Sequence, residues 1–300
     1  MELTETFART RDRYRGRVGL LPTLGFLHEG HLALMDLLRE QCDTLVVSLF
    51  VNPTQFDDES DFAAYPRDTD RDAKLAEQHS ADILFVPELE EVYPVGQTTI
   101  VDVGGVSQEM EGRYRAGHFT GVATVVAKLF AGLQPDVAMF GRKDAQQLAV
   151  LKAMVRDLRF PVSVIDAPLV REPDGLALSS RNVRLSRDDR ERALAISRGL
   201  FQAAEQVDAG ERRGDRLEAT VRRSLKGLEV DYATLASQET MVPIPDLDQP
   251  AVLAVAAHVG GVRLIDNITF DWLEGKPLPD RGLLLGEPSR LSTLPQPATE

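Results

Sequence analysis

The chain reads as an α/β protein, a Rossmann-like, doubly wound parallel sheet followed by a second, smaller α+β C-terminal domain. Three observations predict this. From residue 18 to about 168, short apolar runs alternate with longer amphipathic stretches, the pattern of βαβ units with helices on both faces of a sheet. After Arg171 the pattern changes: Ser186 followed three positions later by Asp189 resembles a capping box, and Ala193, Ile196, Leu200, Ala203 and Val207 then recur at helical spacing. The length of 300 residues, 43% of them hydrophobic, accommodates about two domains with sizeable cores.

Taken in order, the strands of the first domain are expected at 18–21, 44–50, 83–87, 136–140 and 162–167. Between the first two, Leu34, Met35, Leu38 and Cys42 share one face of a helix opening near His31, which makes Cys42 a core residue. Beyond the helix that starts at Ser186, a second helix (214–225) and strand-like segments at 228–235, 252–258 and 262–266 complete the smaller domain. The last stretch, 271–300, contains Pro277, Pro279, Pro288, Pro295 and Pro297 without periodicity and reads as a surface-wrapping or disordered tail. The expected divisions are therefore 1–170, 171–270 and 271–300, with no internal repeat.

Composition excludes several classes. Lys and Arg total 34 against 47 Asp and Glu, a net charge of −13, so the chain gains nothing from counterion release and is not expected to bind nucleic acid. Its single cysteine cannot form an internal disulfide or a Cys-x-x-Cys zinc site, which fits a reducing cytoplasm. No apolar run approaches the ~20 residues needed to span a bilayer. The charged stretch 1–17 has no apolar signal core, so a soluble, uncleaved chain is expected.

The segment most suggestive of chemistry is Leu21-Pro22-Thr23-Leu24-Gly25-Phe26-Leu27-His28-Glu29-Gly30-His31, where the first strand gives way to the first helix. In open α/β sheets ligands sit at the carboxyl ends of the strands. His28 and His31 lie at i and i+3 of a helix start, and Gly30 leaves room for a flat base or a phosphate. The same pair can also be ordinary polar residues of a helix N-terminus. Zinc is disfavoured because the second histidine comes one residue too early for His-Glu-x-x-His.

Three other segments fall at strand ends or at the domain boundary. Asn52 and Gln55, in Phe50-Val51-Asn52-Pro53-Thr54-Gln55-Phe56, carry amides suited to a hydroxy acid. Gly141-Arg142-Lys143-Asp144 opens a helix containing Gln146 and Gln147 and aims a cation at the crevice. Leu178-Ser179-Ser180-Arg181-Asn182 offers two hydroxyls and a guanidinium, a donor set for phosphate oxygens.

These segments, with Tyr65-Pro66-Arg67 and Gly117-His118-Phe119-x-Gly121-Val122, resemble the pantothenate synthetase (pantoate–β-alanine ligase) family over about residues 18–267. The His-x-Gly-His element alone recurs across the nucleotidyltransferase superfamily that includes class I aminoacyl-tRNA synthetases. There a second, mobile motif closes over the phosphates, and Leu178 to Arg181 resembles it. The resemblance implies an ATP site lined by Leu24, Gly25, Phe26, Leu27, His28, Glu29, Gly30 and His31. It adds Gly141, Arg142, Lys143, Asp144, Val170, Leu178, Ser179, Ser180 and Arg181 as further ATP contacts.

His31 is then the proton donor to the phosphates, and His28, Lys143, Ser179, Ser180 and Arg181 complete the catalytic donors. Gln55, Gln147 and Asn52 fall to pantoate, and Gln55 also to β-alanine. Magnesium is implied on ATP itself with no protein ligand assigned; Asp70 and Asp72 are the candidates for one, and read first as exposed helix charges. No tightly bound organic cofactor is implied, and a homodimer is. The chain departs from the family pattern at Leu24 (usually Met), Arg142 (usually Glu) and Ala116 (usually Pro), and Arg142 reverses a charge beside the implied ATP site. His118 belongs to a family motif, and its role can equally be structural, while His79 and His258 read as surface or strand-end residues.

The implied reaction is ATP-dependent: pantoate is activated as an adenylate, β-alanine takes the acyl group, and AMP and pyrophosphate leave. The smaller domain would serve as a lid that excludes water. Two other readings stay open on the residues, an adenylate-forming ligase or nucleotidyltransferase using a different acid or amine, and a non-catalytic nucleotide-binding protein.

Overall fold

Six parallel strands form the first sheet: β1 (Glu2–Thr4), β2 (Val18–Thr23), β3 (Thr44–Leu49), β4 (Ile83–Phe85), β5 (Val137–Gly141) and β6 (Ser163–Ala167). They run in the order β1-β4-β3-β2-β5-β6. β3 is buried at every position, which is why it reads as an unbroken apolar run: both faces of a central parallel strand are covered. The strand order reverses between β2 and β5, so their carboxyl ends flank a topological switch point, where ligands of such sheets bind.

This computed structural model describes residues 1–56 and 59–293. The first unit comprises Met1–Gly104, Arg115–Gly141 and Val150–Ala167; the second comprises Gly105–Tyr114, Arg142–Ala149 and Pro168–Glu300. The helix Ala145–Leu158 begins in one and ends in the other. Among the described residues no helix is long and apolar enough to cross a membrane.

In the first unit the helix Glu29–Arg39 buries Leu34, Met35 and Leu38 against Leu21, Leu45 and Val47, as the spacing predicts. Cys42 departs from expectation. The helix has ended at Arg39, and Cys42 is only half-buried, its thiol turned back toward the Leu38 carbonyl at 3.2 Å. Burial pushes that thiol above its ordinary range. The helix His118–Leu133 is apolar on nearly every side, the signature of a helix enclosed all round.

The second unit is built on an antiparallel sheet of β8 (Glu229–Ser237), β9 (Ala251–Val259), β10 (Val262–Leu273) and β11 (Lys276–Asp280), in the order β11-β10-β9-β8. Ser186 caps the helix Arg187–Asp208 by accepting from the Asp189 amide at 3.1 Å. Ala193, Ile196, Leu200, Ala203 and Val207 all enter the core beside Leu253, Val255 and Phe270.

The expected surface-wrapping or disordered tail is corrected over residues 271–280. Residues 271–273 extend β10 and 276–280 form β11; the segment 294–300 lies outside the described residues. Pro277 and Pro279 are compatible with β11 because it is an edge strand and the prolines stand two apart, so both missing N–H groups fall on the same side of the strand.

A short parallel ladder joins β7 (Val170–Arg171) to β12 (Leu283–Leu284). Arg171 is fully buried and holds this region together. It makes bonds of 2.7 and 2.9 Å to Asp266, donates to the carbonyls of Gly175, Asn267 and Arg281, and packs its guanidinium over the Phe201 ring. A buried charge is tolerated only with this degree of pairing.

Candidate active site

The loop after β2 is organised by an internal anion. Gly25 and Phe26 both take positive φ, 85° and 53°, and the amides of Phe26 and Leu27 donate to the two oxygens of Asp72 at 2.6 and 2.8 Å. Successive amides in such a turn make an anion-binding concavity. Here the helix Thr69–Gln78 fills it with a carboxylate. Asp72 is 1% exposed, which corrects the expectation of a solvated helix charge. Burial pushes its carboxyl above the ordinary range, against the pull of the two amides and of Arg71. Arg71 lies 3.2 Å from Asp72 and stacks over the Phe26 ring, pinning the loop from a second direction.

His28 occupies the N-cap of the next helix, and its own N–H donates to Nδ1 of His31 at 3.3 Å; the two rings lie 4.0 Å apart. Because Nδ1 accepts, the proton of the neutral ring resides on Nε2. Helix capping and proton donation, the two readings of this pair, are therefore compatible in a single tautomer.

Beyond β3 the turn Pro53–Gln55 is held by amide chemistry. Asn52 is 1% exposed. Its Oδ1 accepts from the Tyr93 hydroxyl at 2.7 Å, the Thr54 hydroxyl at 3.0 Å and the Thr54 amide, while Nδ2 donates to Gln55 Oε1 at 3.1 Å and to the Gly121 carbonyl at 3.2 Å. With Oε1 accepting from Asn52, Gln55 has its Nε2 donors left for a ligand.

The backbone of Gln55 is anchored as well. Its carbonyl lies 2.8 Å from His118 Nδ1 and accepts from Arg115 at 3.3 Å. A Cβ on Gly121 would lie 2.2 Å from the Thr54 carbonyl, so only glycine lets this helix approach the turn. The motif residues His118 and Gly121 thus position the turn.

In the second unit, Asn267 donates to the carbonyls of Arg142 and Lys143, both at 2.9 Å, and fixes the turn Arg142–Asp144. The Arg142 guanidinium pairs with Asp271 and Asp280 at 2.9 and 3.0 Å. Those acidic strands account for an arginine at this position. Lys143 lies 3.7 Å from Asp144. Of the two glutamines that follow, Gln146 is buried and holds the segment Gly105–Tyr114 through the Val106 and Glu109 carbonyls and the Glu111 amide, while Gln147 is half-exposed.

Ser179 caps the turn Ser180–Arg184 through the Arg181 amide at 3.2 Å, and Leu178 donates to the Val170 carbonyl at 3.0 Å. Leu178, Val170 and Ser180 are buried; Ser179 and Arg181 are half-exposed. Sequence reasoning missed Asp72, Tyr93, Arg115 and Asn267 as supports. Their partners are distant in the chain, so local spacing carries no signal for them.

The family model described as pantoate-beta-alanine ligase matches residues 1–269. The chain belongs to this family. Among curated relatives it is 48% identical over 273 residues to pantothenate synthetase 1 of Bradyrhizobium diazoefficiens, covering 90% of this chain and 96% of that one. It is 47% identical over 274 residues to the pantothenate synthetase of Heliobacterium modesticaldum, covering 90% and 98%. Among solved structures, pantothenate synthetase from Thermus thermophilus superposes with a TM-score of 0.86 at 43% identity, covering 92% of this chain and all of that one. The pantoate-beta-alanine ligase of Francisella tularensis, complexed with beta-gamma ATP and beta-alanine, gives 0.75 at 30% identity, covering 90% and 97%.

Proposed function

We propose that this chain is an AMP-forming acid–amine ligase that joins (R)-pantoate to β-alanine at the expense of ATP, giving pantothenate. The observation that carries the reading is the pairing of two preset donors at the carboxyl edge of one sheet: His31, whose Nδ1 is occupied so that Nε2 bears the proton, and Gln55, whose Oε1 is occupied so that Nε2 is left for a ligand. The relatives named for this reaction, and the Francisella complex with ATP and β-alanine, supply the substrate classes.

A carboxylate is a poor electrophile, so it must first be activated. A pantoate oxygen attacks the α-phosphorus of ATP, forming a P–O bond as pyrophosphate departs. The amine of β-alanine then attacks the acyl carbon; the C–N bond forms, the C–O bond to AMP breaks, and the amine proton passes to solvent. Charge building on the phosphate oxygens needs preorganised donors. His28, His31, Lys143, Ser179, Ser180 and Arg181 are assigned that work, with Leu24, Gly25, Phe26, Leu27, Glu29, Gly30, Gly141, Asp144, Val170 and Leu178 shaping the nucleotide site.

Gln55 and Gln147 hold pantoate, and Gln55 meets β-alanine. Asn52, whose amide is engaged on both sides within the protein, acts by orienting Gln55. Magnesium enters on the ATP phosphates with no protein ligand assigned, and Asp72 is committed to two loop amides. The smaller C-terminal domain, residues 171–270, serves as a lid, and the working form is a cytoplasmic homodimer.

Pyrophosphate exchange tests this reading. With Mg²⁺, ATP and pantoate but no amine, labelled pyrophosphate should enter ATP. Formation of ADP would establish an acyl phosphate route instead, and exchange with another hydroxy acid but not with pantoate would reassign the substrate.

A further inference from the structure

The family match stops at residue 269, yet the chain beyond it is built into the second unit as far as Leu291. Gly282 takes φ +82°, and a Cβ there would lie 2.5 Å from the Leu169 carbonyl, so glycine is what allows this segment to approach β7. Leu283 donates to the Leu169 carbonyl at 2.7 Å and Leu285 to that of Arg171 at 2.9 Å, forming the short parallel ladder. Further on, the Ser289 amide donates to the Glu172 carboxylate at 2.8 Å in a buried setting. Leu291 is buried, and the turn Arg290–Thr293 packs on the turn Ser180–Arg184.

The segment therefore grips both ends of one excursion of the chain. β7 leaves the sheet region at Val170, and the chain returns through Leu178, whose amide bonds the Val170 carbonyl, into Ser179, Ser180 and Arg181. Ser179 and Arg181 stay half-exposed, so the segment backs this motif without covering it.

We propose that residues 281–291 are a positioning strap that holds Ser179, Ser180 and Arg181 in the conformation that meets the ATP phosphates, an addition beyond the length the family model matches. The inference rests on the ligase reading. A loop ordered before its ligand arrives does not lose that freedom on binding, so the strap raises affinity for ATP in particular.

The test uses the full-length chain with Leu285→Pro and Ser289→Pro together, each removing one donated N–H, and Gly282→Val as an independent variant. Trypsin cleavage after Arg290 reports release of the strap. Calorimetric ATP binding and pantoate-dependent pyrophosphate exchange report its effect. Released variants should bind ATP about tenfold more weakly and show a similar rise in KM for ATP, with KM for pantoate unchanged.

Release with unchanged ATP affinity overturns the proposal, as does a lowered thermal midpoint with normal kinetics in the folded fraction. Slow cleavage in every variant would show that these bonds do not hold the segment, and would overturn the strap as described. If the intact chain binds ATP but shows no exchange with pantoate, the ligase reading fails, while ATP affinity still decides the strap.

Discussion

The loop after β2 and the loop ending in Arg181 are both assigned to the nucleotide, yet they are held by different means. The first turns on Asp72, a buried carboxylate that occupies the Phe26 and Leu27 amides. The second is backed by chain more than a hundred residues later, through Leu283, Leu285 and Ser289. In the first loop, backbone donors suited to a phosphate are already taken by Asp72, so the nucleotide chemistry proposed for this loop rests on side chains, His28 and His31. In the second, the support is peripheral and separable from the unit's core. A loop keyed to an internal charge should fail through stability as well as function; a loop backed by a strap should fail through ligand affinity.

The largest expected effect sharpens the side-chain half of this contrast. His31→Ala should slow pyrophosphate exchange by on the order of a hundredfold, the usual consequence of losing one transition-state donor. The thermal midpoint should move little, since a cap of this kind contributes only about 1 kcal/mol. Wild-type rates in the variant would reduce His31 to a capping residue.

Asp72→Ala tests the internal anion. Two buried amides lose their acceptor, at about 1–3 kcal/mol each, partly offset because a carboxylate no longer has to be desolvated. A thermal midpoint lower by about 5 °C is expected, with exchange reduced roughly tenfold, and Asp72→Asn should be milder because it retains one acceptor. An unchanged midpoint in Asp72→Ala would end the distinction between the two loops.

The smallest effect concerns a side chain that acts at one remove. Tyr93→Phe takes one donor from Asn52 Oδ1, loosening the amide that orients Gln55. A net hydrogen bond contributes about 1 kcal/mol, so KM for pantoate should rise about fivefold while KM for ATP stays put. Equal changes in both constants would place Tyr93 in general packing rather than in the acid pocket.

These supports also mark how far the sequence could be read. The apolar runs of β2 to β6 and the helical period from Ala193 to Val207 are local signals, and both appear in the structure close to their expected bounds. β1 escaped because three residues, Glu2–Thr4, carry no period and belong to a charged stretch. Asp68, Asp70 and Asp72 look alike in sequence; only the arrival of two distant amides buries the third. Pro277 and Pro279 argue against a strand until β11 is seen to be an edge. At the candidate site, the glycines and histidines of the motifs could be read directly, whereas the polar relay from Tyr93 to Gln55 depends on chain segments that only the fold brings together.

Arg171 has a consequence for how the molecule comes into being. Its partners include Gly175, four residues away, but also Asp266, Asn267 and Arg281, up to 110 residues downstream. A guanidinium cannot leave water until its counter-charge has arrived, and on a growing polypeptide Asp266 emerges 95 residues after Arg171. The first unit can collapse during synthesis. The second must keep one cation hydrated, and β7 unsettled, until Asp266 and Arg281 have been made.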